Sequence, residues 1–190
     1  MITRISTTES ANKLIDELDE IIKNPNSGLP EEVFLFTSRI TPIVNVDLII
    51  RNNNNETLLT WRGGDYYSPG WHIPGGIVRY KESMHERINH VAKIELGAEV
   101  EFSSSPIMVN EVIRSPERLN RGHFVSFLFE CELKKPPIQQ EKYGEYKWFK
   151  ECPTNVIPVH TMYKDVINGK KSKKEYLSDF GTSYVVIDNT

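Results

Sequence analysis

Residues 75–98 form the segment that most constrains the fold, because its boundaries carry clear backbone signals. The glycine pair at 75–76 allows a tight turn that brings backbone carbonyls close to a ligand. Ser83 and Glu86 have the spacing of a capping box, which starts a helix. Gly97 has the position of a helix-terminating glycine. We therefore predict a loop, a helix from about residue 83 and a second loop.

A strand is predicted upstream, in the sequence TPIVNVDLII at 41–50. Apolar residues dominate both of its alternating faces, which indicates a central strand covered on both sides. Asn45 and Asp47 are then polar groups on an inner face. Buried polar groups need hydrogen-bond partners or a cleft, so these two residues are candidates for a site.

Hydrophobic periodicity predicts the remaining elements of an α/β domain. The predicted strands are 57–62, 106–113, 123–132 and 145–150, and the predicted helices are 8–24, one from Pro30 and one near 158–168. We divide the chain into an N-terminal helical extension at 1–28, a main domain at 29–168 and a C-terminal tail at 169–190.

Composition excludes several classes of protein. A net charge of -3, with 38% hydrophobic and 26% charged residues, predicts a soluble globular protein without the basic field that nucleic acid requires. The apolar runs of the sequence are far too short to span a membrane. The N-terminus has no apolar signal segment, and Cys131 and Cys152 have no metal-binding spacing. These features predict a cytoplasmic protein with reduced thiols.

The segment at 75–98 has oxygen atoms that suit a hard cation. Mg²⁺ prefers oxygen ligands, and the backbone carbonyl of Gly76 and the carboxylate of Glu95 are two such atoms. Diphosphate oxygens and water can complete the shell. By spacing alone, a simple turn with a surface glutamate explains these residues equally well.

The spacing resembles the box of the Nudix hydrolase family, G-x5-E-x7-R-E-U-x-E-E-x-G-U, in which U is aliphatic. Gly76, Glu82, Glu95 and Gly97 match the box, whereas His90, Val91 and Ile94 depart from it. The departures and the motifs WHIPGGIV, GHFVSFLFE, GEYKWF and PVH resemble the GDP-mannose mannosyl hydrolase branch of that family. The similarity spans roughly residues 29–165.

This resemblance implies a Nudix-type α/β/α sandwich around a mixed β-sheet. It also implies a cytoplasmic homodimer that uses Mg²⁺, or Mn²⁺, to hydrolyse a nucleotide sugar similar to GDP-mannose. The products would be the sugar and a nucleoside diphosphate. Neither a nucleic acid nor a membrane is an expected partner.

The resemblance carries over unevenly to single residues. Gly76 and Glu95 match metal-binding positions, and Asp47 matches a strand aspartate. The family's Gln-His pair, which supplies a metal ligand and the general base, falls on Lys142 and Tyr143. Either Gln140 or Glu141 would then be the metal ligand, and of these we predict Glu141. Two family arginines fall on Ile77 and Asp65.

Other residues are candidates to replace the lost groups, each with a structural alternative. His123 shares the parity of one face of its strand, which would place it at the cleft as a catalytic group; a buried histidine with a satisfied hydrogen bond is the alternative. Tyr143 and Asp47 complete the predicted catalytic set. The predicted substrate-binding residues are Tyr66, Tyr67, Trp71 and Lys142, and the alternative for the aromatic loop residues is core packing. His160 either lines a pocket or packs.

Two other functions stay open on the sequence. A Nudix fold that binds a nucleotide sugar without turnover would explain the altered family positions. A hydrolase that cleaves the pyrophosphate bond to give a nucleoside monophosphate is less favoured.

Overall fold

A computed structural model of the chain describes residues 9–63, 69–114, 120–138, 144–170 and 183–187. The helices are α1 (Glu9–Ile21), α2 (Glu31–Thr37), α3 (Met84–Leu96) and α4 (Lys164–Ile167), with short 3-10 helices at Pro25–Ser27 and Pro158–Tyr163. The strands are β1 (Ile43–Ile50), β2 (Thr57–Arg62), β3 (Gly70–His72), β4 (Gly75–Ile77), β5 (Val100–Phe102), β6 (Met108–Arg114), β7 (His123–Leu133), β8 (Tyr146–Phe149) and β9 (Ser183–Ile187).

These strands form two sheets. The larger sheet has the strand order β4-β1-β7-β6-β9. A sixth strand, β5, also pairs with β7 but is not part of this linear order. It is mixed, because β1 runs parallel to β7 and antiparallel to β4. The smaller sheet is antiparallel, with the order β3-β2-β8. The prediction of β1 as a central strand is confirmed.

Helices cover both faces of the larger sheet. On one face, Ile88 and Val91 of α3 pack with Val46 and Leu48 of β1. On the other face, Ile49 of β1 packs in a second cluster with the 3-10 helix and α4, whose members include Tyr163, Val166 and Ile167. The α/β/α sandwich around a mixed sheet is therefore confirmed.

The predicted caps of α3 are present. The Ser83 side chain accepts a hydrogen bond from the Glu86 N–H at 3.2 Å, and the Glu86 carboxylate accepts one from the Ser83 N–H at 2.8 Å. Gly97 follows the helix in a left-handed conformation, with φ of 60°. Local signals therefore set both ends of the helix that carries Glu95.

The structure also has elements that periodicity did not predict. β4 and β5 are three residues each, too short for a repeating pattern. β9 lies in the predicted tail and pairs in parallel with β6. The region near 158–168 is a 3-10 helix followed by the short α4. None of the helices in the described ranges has the length and apolar content that crossing a bilayer requires.

Candidate active site

A cavity of about 130 Å³ lies beside the glycine pair, between β1, β4 and the 3-10 helix at Pro158–Tyr163. Its polar lining includes Asn45, Asp47, Arg62, Arg121, Ser126 and His160. Its apolar lining includes Ile77, Val112, Phe124, Val159 and Met162. The predicted polar residues of β1 therefore face a cleft, and Gly76 lies at its edge.

The glycine at position 75 is required by a close approach to β1. Asp47 is the register partner of Gly75 in the antiparallel pairing of β1 and β4. A Cβ atom at Gly75 would lie 2.2 Å from Asp47 Oδ1 and 2.9 Å from the Val46 carbonyl oxygen. Any side chain here would displace the Asp47 carboxyl group, so the glycine fixes the position of that group.

Asp47 is a buried carboxyl group within a hydrogen-bond network. Only 1% of the surface of Asp47 is exposed. Asn45 Nδ2 donates to Asp47 Oδ1 at 2.8 Å, and the Tyr163 hydroxyl donates to Oδ2 at 2.6 Å. Burial raises the pKa of Asp47 to about 6, although these hydrogen bonds and the positive charge of Arg62 act in the opposite direction. Asp47 is thus ionised at neutral pH and is a stronger base than an exposed aspartate.

Asp47→Asn should change how stability depends on pH. Because the pKa of Asp47 is raised on folding, its stabilising contribution is complete below the unfolded pKa and is lost as pH rises through about 6. The free energy of unfolding of the variant minus that of the wild type should therefore increase by on the order of 2 kcal/mol between pH 4 and pH 8. Urea unfolding at both pH values measures this change. Asp16→Asn on exposed α1 is the control, and a pH-independent difference for Asp47→Asn would contradict the expectation.

Glu95 lies at the end of α3, where it contacts β2 and the glycine pair. The Thr60 hydroxyl donates to Glu95 Oε2 at 3.2 Å, and the backbone of Gly75 also hydrogen-bonds the carboxylate. Burial raises the pKa of Glu95 to about 7, while the nearby charge of Arg62 lowers it in part.

Arg62 is the cation that the sequence analysis missed. It ends β2 and lines the cavity with Asp47. Its charge lowers the pKa values of both Asp47 and Glu95, so the guanidinium group lies near both carboxyl groups. In the described ranges, no carboxylate oxygen lies within the 4.0 Å of an ion pair with Arg62. A half-buried guanidinium group without an ion-pair partner can bind an anionic ligand.

Glu82, the first box glutamate, has a structural role. Arg87 Nε donates to Glu82 Oε2 at 2.8 Å, and Arg87 Nη2 lies 2.6 Å from the same oxygen. Glu82 Oε2 also accepts from the Arg79 N–H at 2.8 Å. Arg87 therefore ties the loop to α3, while His90 occupies the position of the box arginine. No helical spacing signals this pair, because helix neighbours are three or four residues apart and Glu82 precedes α3.

Two predicted site residues lie elsewhere. Trp71 is 6% exposed and packs edge-on against Trp61 and Phe149, which agrees with the core-packing alternative. His123 does not line the cavity, and its Nε2 lies 3.0 Å from Glu111 Oε1. The parity that suggested a cleft position for His123 was misleading.

The reason is that β7 has one polar cleft face and one core face. Phe124 and Ser126 line the cavity. Phe127 and Phe129, which share the parity of His123, pack with α3 instead. Tyr66, Tyr67, Gln140, Glu141, Lys142 and Tyr143 lie outside the described residues, so their predicted roles remain predictions.

The donor set fits a hard divalent cation. Glu95 contributes a carboxylate, and the glycine pair leaves its backbone free of side chains next to the cavity. Among the described residues, no group of three or more His, Cys, Asp or Glu side chains could hold a metal. The ligands from the protein are therefore few, and a cation here would need oxygen atoms from a bound ligand.

Comparisons with known proteins agree with this architecture. The family model of the NUDIX domain matches residues 41–153. The low-salt glycan biosynthesis protein Agl8 of Haloferax volcanii is 24% identical over 147 residues, which cover 76% of this chain and 94% of that protein.

Two solved structures share the fold. A MutT NUDIX hydrolase from Burkholderia pseudomallei has a TM-score of 0.55 at 18% identity, covering 70% of this chain and 99% of that one. A UDP-X diphosphatase has a TM-score of 0.52 at 18% identity, covering 94% of this chain and 80% of that one. The NUDIX domain match extends over more than half of the 190 residues of this chain. The chain therefore belongs to the Nudix hydrolase family.

Proposed function

We propose that the protein is a Mg²⁺-dependent hydrolase of a nucleotide sugar that releases the sugar and a nucleoside diphosphate. The observation that carries this proposal is the convergence of Asp47, Arg62 and the Gly75–Gly76 backbone on one cavity. Such a cavity offers a base, a fixed positive charge and a backbone turn to one ligand. Hydrolysis of an activated sugar requires these groups.

Arg62 would bind the diphosphate, because a guanidinium group offers planar, bidentate hydrogen bonds to phosphate oxygens. Asp47 would accept a proton from the water that attacks the sugar carbon C1, since its raised pKa suits a general base near neutral pH. Glu95 and the Gly76 carbonyl would hold Mg²⁺, or Mn²⁺. When bound, the cation would neutralise charge on the leaving diphosphate.

Asp47 replaces His123 as the described residue best placed to act as base. Its carboxyl group lines the cavity, whereas His123 pairs with Glu111. Loss of a general base costs about 10²–10⁴-fold in rate. The altered family position at Tyr143 therefore does not by itself remove this function from the chain.

The relatives support a nucleotide sugar as the substrate class. The name of the Haloferax protein connects that protein with glycan biosynthesis, and the name of the UDP-X diphosphatase connects the structural neighbour with UDP-linked compounds. The resemblance to the GDP-mannose branch supports cleavage at the sugar carbon.

A panel of nucleotide sugars with Mg²⁺ tests the proposal. Release of free sugar from at least one member, at a rate well above the protein-free control, is the expected result. Binding without release from any member would favour the binding-protein alternative. Release of a nucleoside monophosphate would favour pyrophosphate cleavage.

Mg²⁺ should bind weakly to the protein alone and more tightly with a nucleoside diphosphate, because the described residues supply few ligands. The affinity should rise between pH 6 and 8, since Glu95 must be ionised to bind a cation and its pKa is about 7. Calorimetric titration with and without the nucleotide measures both effects. Tight binding without nucleotide, unchanged between pH 6 and 8, would refute this expectation.

Dimerisation and a cytoplasmic location remain proposals that rest on the resemblance and on composition. Three apolar residues of α1 are exposed, with Leu14 at 60%, Ile15 at 49% and Ile21 at 59%. An apolar helix face of this kind supports self-association. Light scattering of the purified protein at several concentrations tests for the dimer.

A further inference from the structure

His160 lies in the 3-10 helix at Pro158–Tyr163 and is buried, with 9% of its surface exposed. The Ile73 N–H donates a hydrogen bond to His160 Nδ1 at 3.0 Å. A ring nitrogen that accepts a hydrogen bond carries no proton, so the proton of the neutral ring is on Nε2. Burial and the charges of His72 and Arg62 lower the pKa of His160, which keeps the ring neutral.

The remaining nitrogen can therefore act as a donor. His160 lines the cavity, and within the described part of the chain its one side-chain hydrogen bond is that with Ile73. The Nε2–H group is thus available to a ligand. It cannot act as a base while the backbone of Ile73 holds the ring in this tautomer.

Asp47 is an acceptor that lines the same cavity as this donor. The His160 ring packs edge-on against Tyr163, with 5.4 Å between ring centroids, and the Tyr163 hydroxyl donates to Asp47 Oδ2 at 2.6 Å. Each carboxylate oxygen has two lone pairs, so Asp47 can accept further hydrogen bonds from a ligand. The polar part of the cavity therefore combines a neutral donor with an anionic acceptor.

This pair discriminates between chemical groups. The hydroxyl groups of a sugar can both accept from His160 and donate to Asp47. A phosphate group is an anion that offers acceptors only, so its partner on the cavity lining is Arg62 rather than Asp47. The apolar walls at Val112, Phe124 and Met162 suit the carbon-bound hydrogens of a sugar ring.

The size of the cavity limits what enters. Its volume of about 130 Å³ is well below the roughly 300–1,000 Å³ of pockets that enclose a whole ligand. One part of a nucleotide sugar fits, and the rest must lie outside. We propose that this cavity is a sugar subsite in which His160 Nε2–H donates to a sugar oxygen and so contributes to sugar specificity, an assignment that rests on the proposed nucleotide-sugar substrate.

Two conservative substitutions separate a binding role from a structural one. The amide oxygen of His160→Asn can replace Nδ1 as the acceptor for Ile73, but this variant lacks a donor at the position of Nε2. The longer side chain of His160→Gln can place an N–H near Nε2 while it gives up the bond to Ile73. If His160 binds the sugar, His160→Asn should impair binding more than His160→Gln. If His160 only holds the backbone of Ile73, His160→Gln should be the more damaging change.

Calorimetric titration in EDTA measures binding without metal-dependent turnover. The affinity for GDP-mannose is compared with that for GDP, and the affinity for UDP-glucose with that for UDP. For the preferred pair, His160→Asn should weaken nucleotide-sugar binding by about 3- to 10-fold, the loss of one hydrogen bond, and leave diphosphate binding unchanged. His160→Gln should stay closer to the wild type. Circular dichroism and thermal unfolding check that both variants are folded.

Three outcomes would overturn the assignment. His160→Asn could leave the sugar-dependent gain in affinity unchanged, or it could weaken both ligands equally, which indicates a structural role. The wild-type protein could also bind no nucleotide sugar more tightly than the matching diphosphate. By contrast, a wild-type protein that binds as expected but releases no sugar with Mg²⁺ refutes hydrolysis and leaves the subsite assignment standing.

Discussion

Glu95→Gln should lower the rate of sugar release by about 10³-fold, because it removes the anionic oxygen that would hold the divalent cation. Stabilisation of transition-state charge by a metal is worth several kcal/mol, and each 1.36 kcal/mol corresponds to a factor of ten in rate. The variant should fold at least as well as the wild type at pH 8. The burial that raises the pKa of Glu95 opposes its charged form, and glutamine carries no charge.

Initial rates of sugar release at saturating Mg²⁺, together with urea unfolding, measure both parts of this prediction. Glu99→Gln is the matched control, since Glu99 is an exposed glutamate four residues further along the chain. A Glu95→Gln variant that retains more than about a tenth of the wild-type rate would remove Glu95 from the proposed cation site.

Arg87→Ala should lower the free energy of unfolding by about 3–5 kcal/mol, the usual cost of removing one partner of a buried ion pair. The Arg87 side chain is 5% exposed and that of Glu82 is 17% exposed, so the remaining carboxylate would be poorly solvated. The loop before α3 would also lose the group that ties it to the helix. Urea unfolding followed by circular dichroism measures the loss.

A double variant tests this explanation. Adding Glu82→Gln to Arg87→Met removes both charges and should recover part of the stability lost in Arg87→Met alone. Lys93→Ala on the exposed face of α3 is the control for changes in helix propensity. If the double variant were less stable than either single variant, the ion pair would not be the source of the effect.

The parts of the fold that the sequence predicted are those set by local signals. The ends of α3 follow from Ser83, Glu86 and Gly97, which act within a few residues of one another. The central position of β1 follows from its apolar residues on both faces. The short strand β4 depends on pairing with β1, so its own sequence contains too little pattern to reveal it.

The site was only partly predictable for the same reason. Asp47 could be identified, because an aspartate in an apolar strand needs a partner. Its partner Tyr163 is 116 positions away in the sequence, and no local pattern connects the two. Arg62 is separated in the same way from the carboxyl groups whose pKa values it lowers. Trp71 was misassigned because an aromatic residue beside a loop has the same sequence pattern in a core as in a binding site.

The position of bond cleavage tests the central claim most directly. Hydrolysis of the preferred nucleotide sugar in ¹⁸O-labelled water, followed by mass spectrometry and phosphorus NMR, shows which atom is attacked. Attack at the sugar carbon predicts a labelled sugar and an unlabelled nucleoside diphosphate, both formed about 10³-fold more slowly with Glu95→Gln. A nucleoside monophosphate product, label in the diphosphate, or no turnover of any nucleotide sugar would contradict the proposed function.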